Sequence, residues 1–171
     1  SLRRLQHWVA EGRLGEVHSV VFMGQHPLLY GKRADWYFEP GKHGGTINDI
    51  GIHAIDLLPS LTGRTIVEIT AARSWNAKCL QHPYFHDGAA FALRLDNNGS
   101  VLGDVSYLSS DKHGYSMPTY WRFTLSGSEG VAEASCTQPH VYFWEHFSSE
   151  VWVEPALPTT PAAYLEDFIA E

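Results

Sequence analysis

The chain has 171 residues, 44% hydrophobic and 18% charged, with a formal net charge of −7. That content is enough to bury a core and excludes a disordered chain. It also argues against nucleic acid as a partner, because phosphate binding needs clustered Lys and Arg, and against a membrane span, because no apolar run approaches ~18 residues.

The elements follow in order. "LRRLQHWVAEGRLG" puts Leu2, Leu5, Trp8 and Val9 on one face and stops at Gly12, which predicts a short helix. "EVHSVVFMGQ" alternates and is β-branched, so it predicts a strand. Residues 26–43 read as a long loop containing Tyr30, Trp36, Tyr37 and Phe38, and loops of that length in compact domains are commonly functional. "GGTINDIGIHAIDLL" reads as a helix that runs on to Gly63 as its C-terminal cap. Strands are predicted at "TIVEITAARSW", "DGAAFALRLD", "SVLGDVSYLSS", "YWRFTLSG", "GVAEAS", "PHVYFWEHF" and "EVWVEP". Asn97-Asn98-Gly99 is a strong hairpin signal because Asn and Gly tolerate positive φ. Thr160 and Pro161 suit the start of a last helix.

This order predicts an α+β fold, an open and predominantly antiparallel sheet with helices on one face, formed by residues 1–171 as a single domain. The strands carry aromatic residues on both alternations. The face left uncovered by helices is therefore a natural subunit contact. Cys79 and Cys136 have no CxxC spacing and read as reduced packing residues of a cytoplasmic protein. The chain starts at Ser1 within a helical pattern and ends within another, so it is expected to be part of something longer.

The helix from Gly44 carries the most chemistry. At 100° per residue from Asp49, Ile50, Ala54, Leu57, Leu58 and Leu61 fall between about 80° and 180° and form the buried stripe. His53 falls near 40° and Asp56 near −20°, about the same side as Asp49. Asp49 and His53 are i,i+4 neighbours, so the carboxylate is expected to orient the imidazole as an acid/base unit. A solvated polar face and a metal site that includes His43 are the alternatives from spacing alone. Gly44, Gly45 and Gly51 would let a ligand or another backbone approach closely. Arg33 and Trp36 in the long loop suit a polar, ring-bearing substrate, and Lys112, His113 and Tyr115 lie in a polar loop that could line a pocket.

"GRLGEVHSV", "GGTINDIGIHAIDLLPSLTG", "DGAAFALRLDNNGSV" and "LSGSEG", in that order, resemble the C-terminal domain of the glucose–fructose oxidoreductase/inositol dehydrogenase/MocA family. The most specific piece is GG-x3-D-x3-H-x2-D. The resemblance implies a partner Rossmann domain that binds NAD or NADP, absent from this chain together with its Glu-Lys-Pro lysine. The isolated chain is therefore expected to be inactive. It further implies that Asp49 contacts substrate and that His53 exchanges the proton of the hydroxyl being oxidised. Gly44 and Gly45 would adjoin the cofactor, and Arg33, Trp36, His43, Asp49, His113 and Tyr115 are the expected substrate contacts. The expected substrate is a sugar, sugar derivative or cyclitol. No resident metal is expected, and assembly is expected as a homodimer or homotetramer through the sheet face. Relatives that use NAD transiently for glycoside cleavage or epimerisation supply a second enzymatic reading, and a non-catalytic binding or assembly module is a third.

Overall fold

The computed structural model describes residues 1–158, so the helix expected from Thr160 lies outside the described residues. Helix α1 (Leu2–Ala10) buries Leu5 and Trp8, and the chain turns away at Gly12 with φ 75°. Strand β1 (Val17–Pro27) follows. A 3-10 turn (Asp35–Phe38) interrupts the long loop. A π-helical turn (Ile47–Gly51) leads into α2 (Ile52–Thr62), which ends at Gly63 with φ 65°, a left-handed cap that glycine adopts without strain. The remaining chain is β2 (Ile66–Trp75), β3 (Gly88–Leu95), β4 (Ser100–Ser109), β5 (Arg122–Gly127), β6 (Gly130–Ser135), β7 (His140–Glu145) and β8 (Val151–Pro155).

The eight strands form one sheet in the order β2-β3-β4-β1-β5-β6-β7-β8. Adjacent hairpins make β2 to β4 and β5 to β8 antiparallel throughout. Strand β1 inserts between the two groups, antiparallel to β5 and parallel to β4, with Ser19 opposite Ser100 and Gln25 opposite Ser106. This is the α+β fold expected from the sequence, an open and mostly antiparallel sheet.

Both helices lie on one face. Trp8 of α1 meets Phe143 of β7 with ring centroids 5.8 Å apart, and Ala54, Leu58 and Leu61 of α2 are buried. Beneath α2 the Phe22 ring touches Phe91 and Phe123 at 5.5 and 5.6 Å. The Phe22 and Phe91 rings meet across β4 because Gly103 lies between them: a Cβ there would stand 2.6 Å from both. The opposite face is apolar but uncovered, with Val21 43%, Leu102 50% and Val153 50% exposed.

Two local details depart from the sequence reading. Strand β1 runs on to Pro27, so His26 belongs to the sheet and not to the loop. The helix also does not open as a regular α-helix. The N–H of Ile52 reaches the carbonyl of Ile47, an i→i−5 bond that widens the first turn. The uniform 100° step therefore misplaces the side chains of that turn relative to those of α2.

Candidate active site

The one parallel pairing builds the site. Because β1 and β4 run the same way, their carboxyl ends lie together, and His26 comes beside Tyr107 with ring centroids 6.3 Å apart. Strand β5 begins at the same end, just after Trp121. The π turn packs over this point. Ile50 sits so close to the sheet that a Cβ on Gly24 would be 3.1 Å from it. The result is a cavity of about 370 Å³ lined by His26, Arg33, Tyr37, Asp49, Ile50, His53, Tyr107, Tyr115, Tyr120 and Trp121.

Asp49 is the acidic group in that wall. Its carboxylate accepts a hydrogen bond from the Tyr107 hydroxyl and lies 3.4 Å from Nε2 of His43. The same nitrogen is 3.3 Å from the Tyr107 oxygen. The His43 side chain is only 6% exposed and packs among Tyr37, Phe85 and Tyr107, with Nδ1 buried and without a partner among the described residues. An Nε2–H tautomer fits, because it donates toward Asp49 and leaves Nδ1 as a bare lone pair. The bond from His43 holds the Asp49 carboxyl below its ordinary value, against the burial that raises it.

Asp49 therefore does not orient His53, as the i,i+4 spacing suggested. Among the described residues His53 makes no hydrogen bond or ion pair. It is exposed and meets Trp121 edge-on at 6.3 Å. The π turn is the physical reason, since the widened turn rotates Asp49 toward Tyr107 and His43. Asp56 is also exposed and does not line the cavity.

The remaining expected residues divide. Arg33 and Tyr115 reach the cavity wall. The Arg33 guanidinium lies 4.7 Å from the centres of both the Tyr37 and Tyr107 rings, and it donates to the Leu28 and Pro27 carbonyls at 2.7 and 3.2 Å. His43 stands behind the wall as a support of Asp49. Trp36 packs on Tyr37 at 4.4 Å outside the cavity, and the His113 ring is turned to the Ser110 hydroxyl at 2.9 Å. Gly44 and Gly45 have φ of 78° and 91°, a region that L side chains rarely adopt. Nothing lies within 4 Å of where a Cβ on Gly45 would stand, so the backbone there is open. Thr46, fully buried, ties this segment down through a hydrogen bond to the His86 carbonyl.

Tyr107, Tyr120 and Trp121 in this wall were not expected from the sequence, and His26 and Tyr37 only as members of the long loop. The Nδ1 of His26 is 3.2 Å from the Gly24 carbonyl, and the rings of Tyr107, Tyr115, Tyr120 and Trp121 stand edge-on around it. Burial lowers its pKa, which favours the neutral ring and leaves Nε2 as an acceptor. Trp121 has φ 51°, a strained value for a bulky residue, and such strain gathers at ligand sites. The cue in the sequence was "YSMPTYW", an aromatic-rich approach to a strand. Among the described residues no group of three or more His, Cys, Asp or Glu is placed to hold a metal ion. None of the described helices is long and apolar enough to cross a membrane.

An open sheet with helices on one face thus carries a cavity walled by an acid, two imidazoles and aromatic rings. The chain belongs to the GFO/IDH/MocA C-terminal domain family, whose model matches residues 2–133. It is similar over 99% of its length to a protein from Erwinia carotovora atroseptica assigned as an oxidoreductase, at 26% identity and TM-score 0.82, covering 51% of that chain. A Thermotoga maritima protein of the same assignment matches over 98% of this chain and 48% of its own, at 24% identity and TM-score 0.79. An inositol dehydrogenase homolog from Azotobacter vinelandii, complexed with NAD+, shares the fold at 16% identity and TM-score 0.73, over 90% of this chain and 40% of its own. The chain thus spans about half the length of the solved structures it matches. Comparison with curated protein sequences finds no match.

Proposed function

We propose that this chain is the substrate-binding and catalytic half of an NAD(P)-dependent oxidoreductase that acts on a secondary hydroxyl of a sugar, sugar derivative or cyclitol. The observation that carries this reading is an ionised acceptor, Asp49, and an unpaired imidazole, His53, on the wall of one polar cavity. Asp49, held by Tyr107 and His43, accepts a hydrogen bond from a substrate hydroxyl and fixes the substrate's orientation. His53 takes the proton of the reacting hydroxyl during oxidation and returns it during reduction. Neutral His26 offers a second acceptor, and the aromatic wall excludes water from one side of the substrate.

NAD(P), when bound, supplies the hydride acceptor at the reacting carbon. Its fit to this chain rests on the open backbone at Gly44 and Gly45, which adjoins Asp49 through the bond from the Asp49 N–H to the Gly45 carbonyl at 3.0 Å. Most of its binding, and the choice between NAD and NADP, belongs to a domain outside this chain. The apolar outer face of the sheet supports a second proposal, that copies of the protein assemble through it.

The experiment is His53→Ala in the full-length protein. Hydride transfer to NAD(P) should fall by roughly 10²–10⁴-fold, while cofactor binding, followed by fluorescence titration, stays near that of the wild type. Turnover at the wild-type rate removes His53 from the mechanism.

A further inference from the structure

We infer that the substrate bears a carboxylate group and that Arg33 is the residue that selects it. This rests on the reading of the cavity as a substrate site. It narrows the substrate from hydroxylated compounds in general to sugar acids.

Arg33 is held as a fixed cation. Its planar head lies against both the Tyr37 and Tyr107 rings, its centre 4.7 Å from each. Its Nε donates to the Leu28 carbonyl at 2.7 Å and one terminal nitrogen donates to the Pro27 carbonyl at 3.2 Å. Both partners lie along the same edge of the guanidinium. With the Nε edge occupied and both rings against the planar head, the end-on terminal nitrogens, which the Tyr37 hydroxyl also approaches, are left to face a ligand. No carboxylate of the described residues comes within ion-pair distance of it. The other arginines with ion pairs, such as Arg13, Arg64, Arg94 and Arg122, lie outside this cavity.

The rest of the wall does not neutralise Arg33 by contact. Asp49 is engaged with Tyr107 and His43, His26 is shifted toward its neutral form, and the other polar rings are tyrosines. A preorganised guanidinium with an open end matches a carboxylate in shape as well as in charge, because the two planar groups form parallel bonds. The ordering of a long side chain has been completed before the ligand arrives. Arg33, Asp49 and His53 line the same cavity, so one small molecule spans them, its acid group at Arg33 and its reacting hydroxyl at His53.

The test uses the full-length protein and matched probes: D-gluconate and D-galactonate, the neutral D-glucitol and myo-inositol, and D-glucose 6-phosphate. Calorimetry without cofactor should show an aldonate bound more tightly than either neutral compound. Arg33→Gln should weaken the aldonate by about ten- to a hundredfold, the loss of charge-assisted hydrogen bonds, and weaken neutral polyols by much less, so that the preference for the acid is lost. Arg33→Lys should recover only part, since a point charge replaces a fork. In turnover assays the loss should fall on KM more than on kcat. Equal binding of neutral and acidic probes, binding of the phosphate in preference to the carboxylates, or an aldonate affinity indifferent to Arg33→Gln each overturns the inference. Hydride transfer from neutral polyols with no aldonate binding overturns it while sparing the oxidoreductase reading. Aldonate binding that depends on Arg33, without hydride transfer, does the reverse.

Discussion

Asp49 shows how one carboxylate can be tuned by partners far away in sequence. Its pKa is lowered by the bond from His43, so the folded state favours the ionised form. A depressed carboxylate contributes stability that is full above the ordinary value of 3.8 and is lost as pH falls through the folded value. The stability advantage of the wild type over Asp49→Asn should therefore hold steady from about pH 7 to pH 5 and shrink in more acidic solution. Thermal melts of both proteins across that range check this. An advantage that grows as pH falls below the ordinary value of 3.8 would contradict the ionised assignment. The sequence made Asp49 and His53 legible as candidates because both read as one side of a helix, and one cavity is lined by both. Their partners were not legible. His26 reads as the first residue of a loop and Tyr107 as an alternating strand position, and only the pairing of β1 with β4 brings them together.

At the scale of the element, the connection between β2 and β3 shows a backbone organised by one buried side chain. Asp87 is fully buried, and its carboxylate accepts from the successive N–H groups of Ala77, Lys78 and Cys79 at 2.8, 2.6 and 2.9 Å. Asn76 closes the same loop by bonding the Cys79 and His82 carbonyls at 2.9 and 3.0 Å. The loop carries Phe85, whose ring packs on His43 at 4.8 Å and so supports the cluster behind Asp49. Asp87→Ala leaves three donors without their acceptor and should cost roughly 3 kcal/mol or more, measurable by urea denaturation. A loss under about 1 kcal/mol would show that water replaces the carboxylate. The hairpin at Asn97-Asn98-Gly99 was legible because its chemistry is local, with φ 61° at Asn98. The Asp87 nest was not, since nothing in "NAKCLQHPYFHD" distinguishes a buried aspartate from a solvated one. The π turn escaped for a related reason: its residues suit an α-helix, and nothing in their spacing marks the extra width.

Across the whole molecule, the sheet presents two faces of different chemistry. One side carries the helices and the cavity. The other presents Val21, Leu102, Ala90 and Ala92 around an apolar depression of about 560 Å³ that also touches Arg73 and Asp104. That depression is larger than the cavity at Asp49 but lacks imidazole and hydroxyl groups, so it suits packing and not proton transfer. If copies associate there, Leu102→Glu in the full-length protein should shift light-scattering mass toward the monomer while the domain stays folded by circular dichroism. An unchanged mass would remove this face from the assembly. The alternating aromatic and aliphatic pattern made two apolar faces legible. The strand order was not, because both neighbours of β1 come from much later in the chain.

The position of β1 also sets an order of events for the nascent chain. Its partners at Ser100 and Thr124 do not exist when Ser19 and Val21 emerge during synthesis. Until then an apolar strand waits with both edges unpaired, a state open to mispairing with other chains. The two antiparallel halves can form from local contacts, whereas their joining waits on closure of a long loop. Folding of this domain should therefore end, not begin, with the strand that comes first, and the cavity should appear only in that final step.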